Sequence, residues 1–314
     1  MKSKAQVSER FRDFDANLTT RPWIVIGMGL RKFGQIMKFK NYGLWSLIVI
    51  VYLFALVRFI LLSDSESYPC MDMGDEYRRC VPLDYYGDFF TQGGMRIFLI
   101  SIAAIASGGV IGNDMANKSI HLYLSRPISR LDYLIARFIP VFLIMILVTL
   151  VPNIMIFTSM WSDSGLKTEW ILDHKWLIFD LTVQAMVYST GLAIIGLTFS
   201  TAIKKENPAS AAFFLFVYGS STVCEIFFIA LKMIEIDGAD FILLLSVSHL
   251  LDCISFAIFD AKYYVMASGF PWETDISNIQ IGAVFTVIFA GCSGLMYWMI
   301  QQMEANKCGL NLNK

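Results

Sequence analysis

Six runs of mostly apolar residues constrain this chain more than any other feature. They lie at 42–62, 89–112, 133–157, 176–200, 209–231 and 279–299. A helix rises about 1.5 Å per residue, so about 20 such residues cross the hydrocarbon core of a bilayer. In lipid the backbone groups find no water, so each run must satisfy its own hydrogen bonds as a helix. The expectation is an all-α integral membrane protein with six transmembrane helices. Composition agrees: 56% of the residues are hydrophobic and 16% charged, against roughly 25% charged in a soluble domain. Mean hydropathy is +0.57. Residues 1–41 are then expected to form a cytoplasmic N-terminal segment with an interfacial helix, 42–299 the transmembrane domain and 300–314 a cytoplasmic tail. No apolar h-region occurs in the first 21 residues, so no secretory signal is expected.

A further apolar stretch, Phe241–Phe259, is interrupted by His249 and Asp252. Charge placement decides how to read it. Lys and Arg concentrate on the cytoplasmic side of membrane proteins. Nine precede Tyr42, and Lys118, Arg126 and Arg130 follow the second run. Lys204 and Lys205 lie between the fourth and fifth runs, and Lys307 and Lys314 in the tail. The opposite side holds Arg78, Arg79, Lys167, Lys175, Lys232 and Lys262, with acids such as Asp72, Asp75, Glu76, Asp237, Asp240 and Asp275. Both termini are therefore expected in the cytoplasm, which requires an even number of crossings. Phe241–Phe259 reads as outer re-entrant helices between spans 5 and 6, bent near Ser246–His249. The insertion rule and anionic lipid account for the basic face, so no nucleic-acid partner is expected.

Ahead of the first run, Pro22–Lys40 spaces Trp23, Ile26, Leu30, Phe33, Ile36 and Met37 near helical intervals, with Arg31, Lys32, Lys38 and Lys40 between them. Proline suits the first helical turn. This segment predicts an N-terminal interfacial amphipathic helix in contact with membrane lipids. Gly27, Gly29 and Gly34 count against its continuity. Cys70 and Cys80 share the acidic loop 63–88 on the side expected to be oxidising, where a disulfide would close the loop. Cys70, Met71, Met73 and Cys80 are soft ligands that would also suit Cu(I), but no His joins them, and no metal site is expected. Cys224, Cys253, Cys292 and Cys308 fall in or near apolar segments and read as packing residues.

The connector between the second and third runs is organised more tightly than a plain loop. In "NDMANKSIHLYLSRPISRLD", Asn113 or Asp114 is placed to cap a short helix. Ile120, Leu122, Tyr123 and Leu124 offer an apolar surface beside His121. Pro127 stops that helix, and Ser129 with Asp132 forms a capping-box pattern opening the next one. Arg126 and Arg130 can reach lipid phosphates or acidic partner residues.

This connector resembles that of type-2 ATP-binding-cassette (ABC) exporter permeases. Their pattern is an acid, three residues, Gly-Thr, a Leu-rich turn and "S-x-P-[IV]-S-R" leading into the next span. Asp114 matches the acid, and Ser125, Pro127, Ile128, Ser129 and Arg130 match the second half. Lys118-Ser119 stands where Gly-Thr is usual. The layout of interfacial helix, six spans and outer helices before the last span is also similar. The resemblance implies a membrane permease subunit coupling ATP hydrolysis by a separate subunit to substrate export. Two permease copies, or one copy and a paralogue, would sit on two ATPase subunits. The segment from Asp114 to about Ser125 would be a cytoplasmic coupling helix, with Asp114, Lys118, His121, Tyr123, Arg126 and Arg130 as its contact residues. The chain contains no "G-x-x-x-x-G-K-[ST]" phosphate loop. It is therefore expected to be non-catalytic and to bind no cofactor, with ATP and Mg held by the partner. Its small size without a fused ATPase fits a multi-pass protein of a bacterial or archaeal cell membrane.

Ionisable residues inside spans are costly and need partners. Glu225 lies in the fifth run, and Arg58 and Arg96 near the ends of the first two are its candidate partners. Asp180 sits close enough to the end of its run to be wet. His249 and Asp252, three apart, share one face if their stretch is helical. Two other transporter or scaffold readings remain open. A secondary transporter driven by an ion gradient predicts repeated halves and broken spans. A non-transporting ABC-like scaffold shares every feature of the permease. An intramembrane enzyme would need a compact His/Asp/Glu cluster or nucleophile–base pair, whereas His121, His174 and His249 are far apart in sequence.

Overall fold

The computed structural model describes residues 22–38, 41–63, 93–117, 119, 128–163, 168, 172, 175–236, 238–259, 264–267, 270–274 and 276–307. Helices appear where the apolar runs require them: α1 (Pro22–Ile36), α2 (Tyr42–Ser63), α3 (Gly93–Gly108), the short α4 (Gly112–Ala116), α5 (Arg130–Asp163), α6 (Lys175–Ala202) and α7 (Glu206–Met233). A 3-10 helix (Ala239–Leu245), α8 (Val247–Ile258) and the long α9 (Asn278–Lys307) follow. Among the described residues, five helices have the length and apolarity to cross a membrane, α3 and α4 together counting as one. The apolar α2 adds a further helix of 22 residues.

The stretch between α7 and α9 behaves as its interrupted hydropathy predicts. The 3-10 helix and α8 meet at Ser246 with a bend of 108°. Neither half alone is long enough to span. They cover the end of α7 and the start of α9 through a second apolar cluster that includes Phe228, Leu243, Leu250 and Ile281. After α8, Tyr264–Ala267 (β1) and Phe270–Glu273 (β2) pair antiparallel, with Tyr264 opposite Glu273 and Ala267 opposite Phe270. This two-stranded hairpin is a small addition to an otherwise helical fold.

The main core is shared by α2, α3, α5, α6, α7 and α9. Helix α3 is the most enclosed, with 72% of its apolar window buried, against 22% for α7 and 17% for α9. So much uncovered apolar surface is stable only against lipid or another chain. Polar side chains tie the helices together inside the core. Thr149 of α5 and Ser189 of α6 lie 3.2 Å apart. Asn153 donates to Gln184 Oε1 at 2.9 Å, and Gln184 in turn donates to Ser255 of α8. The buried Cys224 and Cys253 and the partly buried Cys292 are free thiols within this packing.

Helix α1 runs unbroken through its three glycines. Gly29 explains why one of them is needed. A Cβ there would come within 2.9 Å of the Ile139 side chain and 3.2 Å of the Ala136 carbonyl oxygen. Pro140 has no N–H to return to Ala136 four residues back, so α1 lies against a locally unpaired turn of α5. Its docked face is Val25 and Gly29, with Met28, Phe33 and Ile36 partly covered. Trp23 (79% exposed), Ile26 and Leu30 point away from the protein. Trp23, Ile26, Leu30, Phe33, Ile36 and Met37 read as one apolar stripe in the sequence; the structure packs Phe33, Ile36 and Met37 against the core and leaves Trp23, Ile26 and Leu30 exposed.

Candidate functional site

The connector begins at a break in a helix. Between α3 and α4 the backbone turns at residues 109–111, leaving amides and carbonyls that a regular helix would pair. Ser200 of α6 satisfies three of them. Its Oγ accepts from Ile111 N at 3.2 Å and Gly112 N at 3.1 Å and donates to the Gly108 carbonyl at 2.9 Å. One hydroxyl can do this because it carries one donor and two acceptor sites. Ser210 of α7 donates to the Ala104 carbonyl at 2.8 Å, and Asn113 Nδ2 donates to Glu206 Oε2 at 2.9 Å. Small residues make the approach possible. A Cβ on Gly112 would sit 2.8 Å from the Ser200 carbonyl oxygen. The break is therefore a fixed joint held by α6 and α7.

Asp114 comes next, inside α4 rather than at its cap; Ile111 precedes the helix without a side-chain cap. Its carboxylate turns into the protein. Oδ2 is paired with Arg137 Nη2 and accepts from the Tyr133 hydroxyl at 2.9 Å. Tyr133 and Arg137 are one turn apart on α5, with the guanidinium 5.1 Å from the Tyr133 ring centre. Ser119 Oγ closes the turn on the Asp114 carbonyl at 3.2 Å. The expectation of an outward Asp114 contact is corrected by this geometry, because the charge is neutralised within the chain. The far end of the connector follows its sequence pattern. Asp132 Oδ2 accepts from Ser129 N at 3.2 Å and Ser129 Oγ at 2.7 Å, while Asp132 N donates back to Ser129 Oγ at 3.1 Å. This is a reciprocal capping box.

Both ends of the connector are thus fastened to the first two turns of α5, one through Asp114 and one through Ser129. Arg130 is the first residue of α5 and is partly exposed. Lys118, His121, Tyr123 and Arg126 lie outside the described residues, as do Cys70 and Cys80 and the side chain of Arg58.

At the opposite end of α3 a second polar group is buried. Arg96 Nη2 meets Asp252 Oδ2 at 2.5 Å, and Nη1 lies 3.6 Å from Glu225 Oε1 and 3.1 Å from Ser221 Oγ. Tyr188 of α6 donates to Asp252 Oδ1 at 2.5 Å. His249 Nε2 is 3.3 Å from Glu225 and 3.2 Å from Ser221 Oγ. Asp252 is 1% exposed, whereas the Glu225 side chain is 36% exposed. Four helices, α3, α6, α7 and α8, converge on one guanidinium. Of the two candidate partners of Glu225, Arg96 lies 3.6 Å away, and the side chain of Arg58 lies outside the described residues. The structure also places His249 and Asp252 on one face, as their spacing requires.

Arg137, Tyr133, Tyr188 and Ser200 were not singled out in the sequence. Arg137 did carry a signal: it is a cation inside the third apolar run, and such a charge must have a partner at its own depth. Ser200 carried none, since a serine in a span is common. Among the described residues, no group of three or more His, Cys, Asp or Glu is arranged to hold a metal ion.

Comparison with curated proteins returned no match. A family model described as ABC-2 family transporter protein matches residues 36–295, which takes in every helix from α2 through α8, the connector and most of α9. The chain is a multi-pass membrane protein that belongs to the ABC-2 transporter family.

Proposed function

We propose that this chain is the permease subunit of an ABC exporter, forming the translocation path and receiving the force of ATP hydrolysis from a separate ATPase. Two ATPase subunits hold ATP and Mg, and a second permease copy or a paralogue completes the path. The family match supports the transporter reading. The observation that carries the coupling role is the double fastening of the connector. A push on residues between Asp114 and Ser129 would reach α5 directly, through Arg137 and Tyr133 at one end and the Ser129–Asp132 box at the other. Through Ser200, Ser210 and Glu206 it would reach α6 and α7. A loosely tethered loop would dissipate the same displacement.

In this reading six helices cross the bilayer: α2, α3 with α4, α5, α6, α7 and α9. The bent pair before β1 caps the outer side without crossing. Both termini face the cytoplasm of a bacterial or archaeal cell, on the side of the connector. Lys118, His121, Tyr123, Arg126 and Arg130 meet the ATPase, and Asp114 holds the element in place from within.

The test is purification of tagged protein in mild detergent, identification of co-purifying chains by mass spectrometry, and an ATPase assay. An ATP-binding subunit is expected to co-purify, and to be lost or uncoupled with Arg130→Glu or Tyr123→Ala. Absence of any nucleotide-binding partner under several gentle conditions would refute the coupling role.

A further inference from the structure

A cleft of about 410 Å³ opens beside the joint between α3 and α4, bounded by the end of α1, the start of α2 and the start of α7. Its lining is mixed in character. Leu44, Ile105 and Val110 make apolar walls, while Lys32, Asn113 and Glu206 line the connector end. The two charges stand on different helices. Glu206 is held at the mouth by the Asn113 amide at 2.9 Å. Its carboxylate rests over Gly109, where a Cβ would come within 2.7 Å of Oε2. Lys32 is half-buried and makes no ion pair or hydrogen bond with the described residues.

An ammonium withdrawn from water without a partner is unfavourable. Burial, then the nearby Arg137, holds the Lys32 amine below the usual lysine range; Asp114 and Glu206 act in the opposite direction without outweighing them. Arg137 already has its counter-ion in Asp114. Among the described residues Lys32 makes no ion pair of its own, and it lines an open space large enough for a ligand. That ligand must offer an anionic group to Lys32, tolerate or engage the carboxylate of Glu206, and present apolar atoms to the inner walls. The helix that carries Lys32 exposes Trp23, Ile26 and Leu30, which suits a position at the lipid headgroup level.

We propose that this cleft is a binding site for a zwitterionic aminophospholipid, with the phosphate on Lys32, the amine on Glu206 and the upper acyl chain against Leu44, Ile105 and Val110. The site holds whichever substrate the chain carries and whether or not an ATPase couples to it.

Native mass spectrometry of the detergent-purified protein tests this with four probes: phosphatidylethanolamine, phosphatidylglycerol, phosphate-free diacylglycerol, and soluble phosphoethanolamine as competitor. Phosphatidylethanolamine is expected to be retained best and diacylglycerol least. Lys32→Met should weaken retention of both phospholipids roughly tenfold, the value of one charge-assisted contact. Glu206→Gln should remove the preference for the amine while leaving phospholipid bound. Lys204→Met, an exposed lysine outside the cleft, should change nothing. If Lys32→Met yields no folded protein, the loss of headgroup preference in Glu206→Gln decides the matter. Unchanged preference in Glu206→Gln, unchanged retention in Lys32→Met, or retention of diacylglycerol equal to phospholipid would overturn the proposal. Competition by phosphoethanolamine at equal concentration would also overturn it, making the ligand a soluble phosphoester.

Discussion

Arg96 and Asp252 lie 156 residues apart in the chain and meet at 2.5 Å, joining α3 to the bent segment that precedes β1. The carboxylate is almost fully buried and is held on its other oxygen by Tyr188. Such a pair costs desolvation to form but costs more to break on one side, because the remaining charge is stranded. Asp252→Ala is expected to destabilise the protein by about 3 kcal/mol or more. Arg96→Met combined with Asp252→Leu should cost less than the sum of the single changes. Thermal unfolding in detergent, arranged as a double-mutant cycle, measures the difference. Additive effects would mean that the pair is not coupled.

The Asp114–Arg137 pair makes the same kind of prediction at the other end of α3, with a functional readout. Arg137→Met strands a buried carboxylate, and a loss of about 3 kcal/mol is expected. Tyr133→Phe removes one hydrogen bond to a charged group and should cost about 2 kcal/mol. If the connector transmits force through this anchor, Tyr133→Phe should lower substrate-stimulated ATPase activity in the assembled complex while leaving partner binding intact. Equal loss of binding and activity would assign the tyrosine to assembly instead.

Ser129→Ala removes the capping hydroxyl that serves both Asp132 N and Asp132 Oδ2. A loss of about 1 kcal/mol is expected. Ser129→Thr, which keeps the hydroxyl, should recover most of it in the same unfolding assay.

Two glycines of α1 should respond in opposite ways. Gly27 has open space where a Cβ would stand, whereas Gly29 would meet Ile139 and the Ala136 carbonyl. Gly27→Ala should be neutral or stabilise by up to about 1 kcal/mol through helix propensity. Gly29→Val should cost about 1–3 kcal/mol by forcing α1 off α5, with increased proteolysis near residue 22 as an independent sign. Equal effects would show that α1 is not docked as described.

Lys32 sets a pH dependence in lipid-free detergent. Its amine is held below the ordinary lysine value, chiefly by burial. Between that lowered value and about 10.5 the unfolded chain therefore binds more protons than the folded one, so this residue's contribution to stability rises with pH across the window. Below the window the full penalty of burying the charge applies. Lys32→Met should accordingly be more stable than the unmodified protein at neutral pH and should flatten the rise at alkaline pH. A stability profile that is identical in the two proteins would remove Lys32 as its source.

Local pattern was legible in the sequence wherever the cause is local. Apolar runs of sufficient length give helices because lipid leaves the backbone no other partner. Ser129 and Asp132 satisfy each other across three residues, and His249 and Asp252 interrupt an apolar stretch that duly bends at Ser246. The pairing of Glu225 with Arg96 was also accessible, because a span tolerates few charges and each needs an opposite one.

Tertiary structure alone decided which distant groups meet. Asp114 could have faced a partner protein; the packing of α4 on α5 gives it to Arg137 and Tyr133 instead. Ser200 repairs the break after Gly108 only because α6 comes close enough for one hydroxyl to reach three backbone groups. The cleft at Lys32 is lined jointly by α1, α2, α3, α4 and α7, which no single segment of sequence brings together. Helical periodicity fixes which face a residue occupies, but the neighbour of that face is set by how all the helices pack at once. No single run of sequence contains that information.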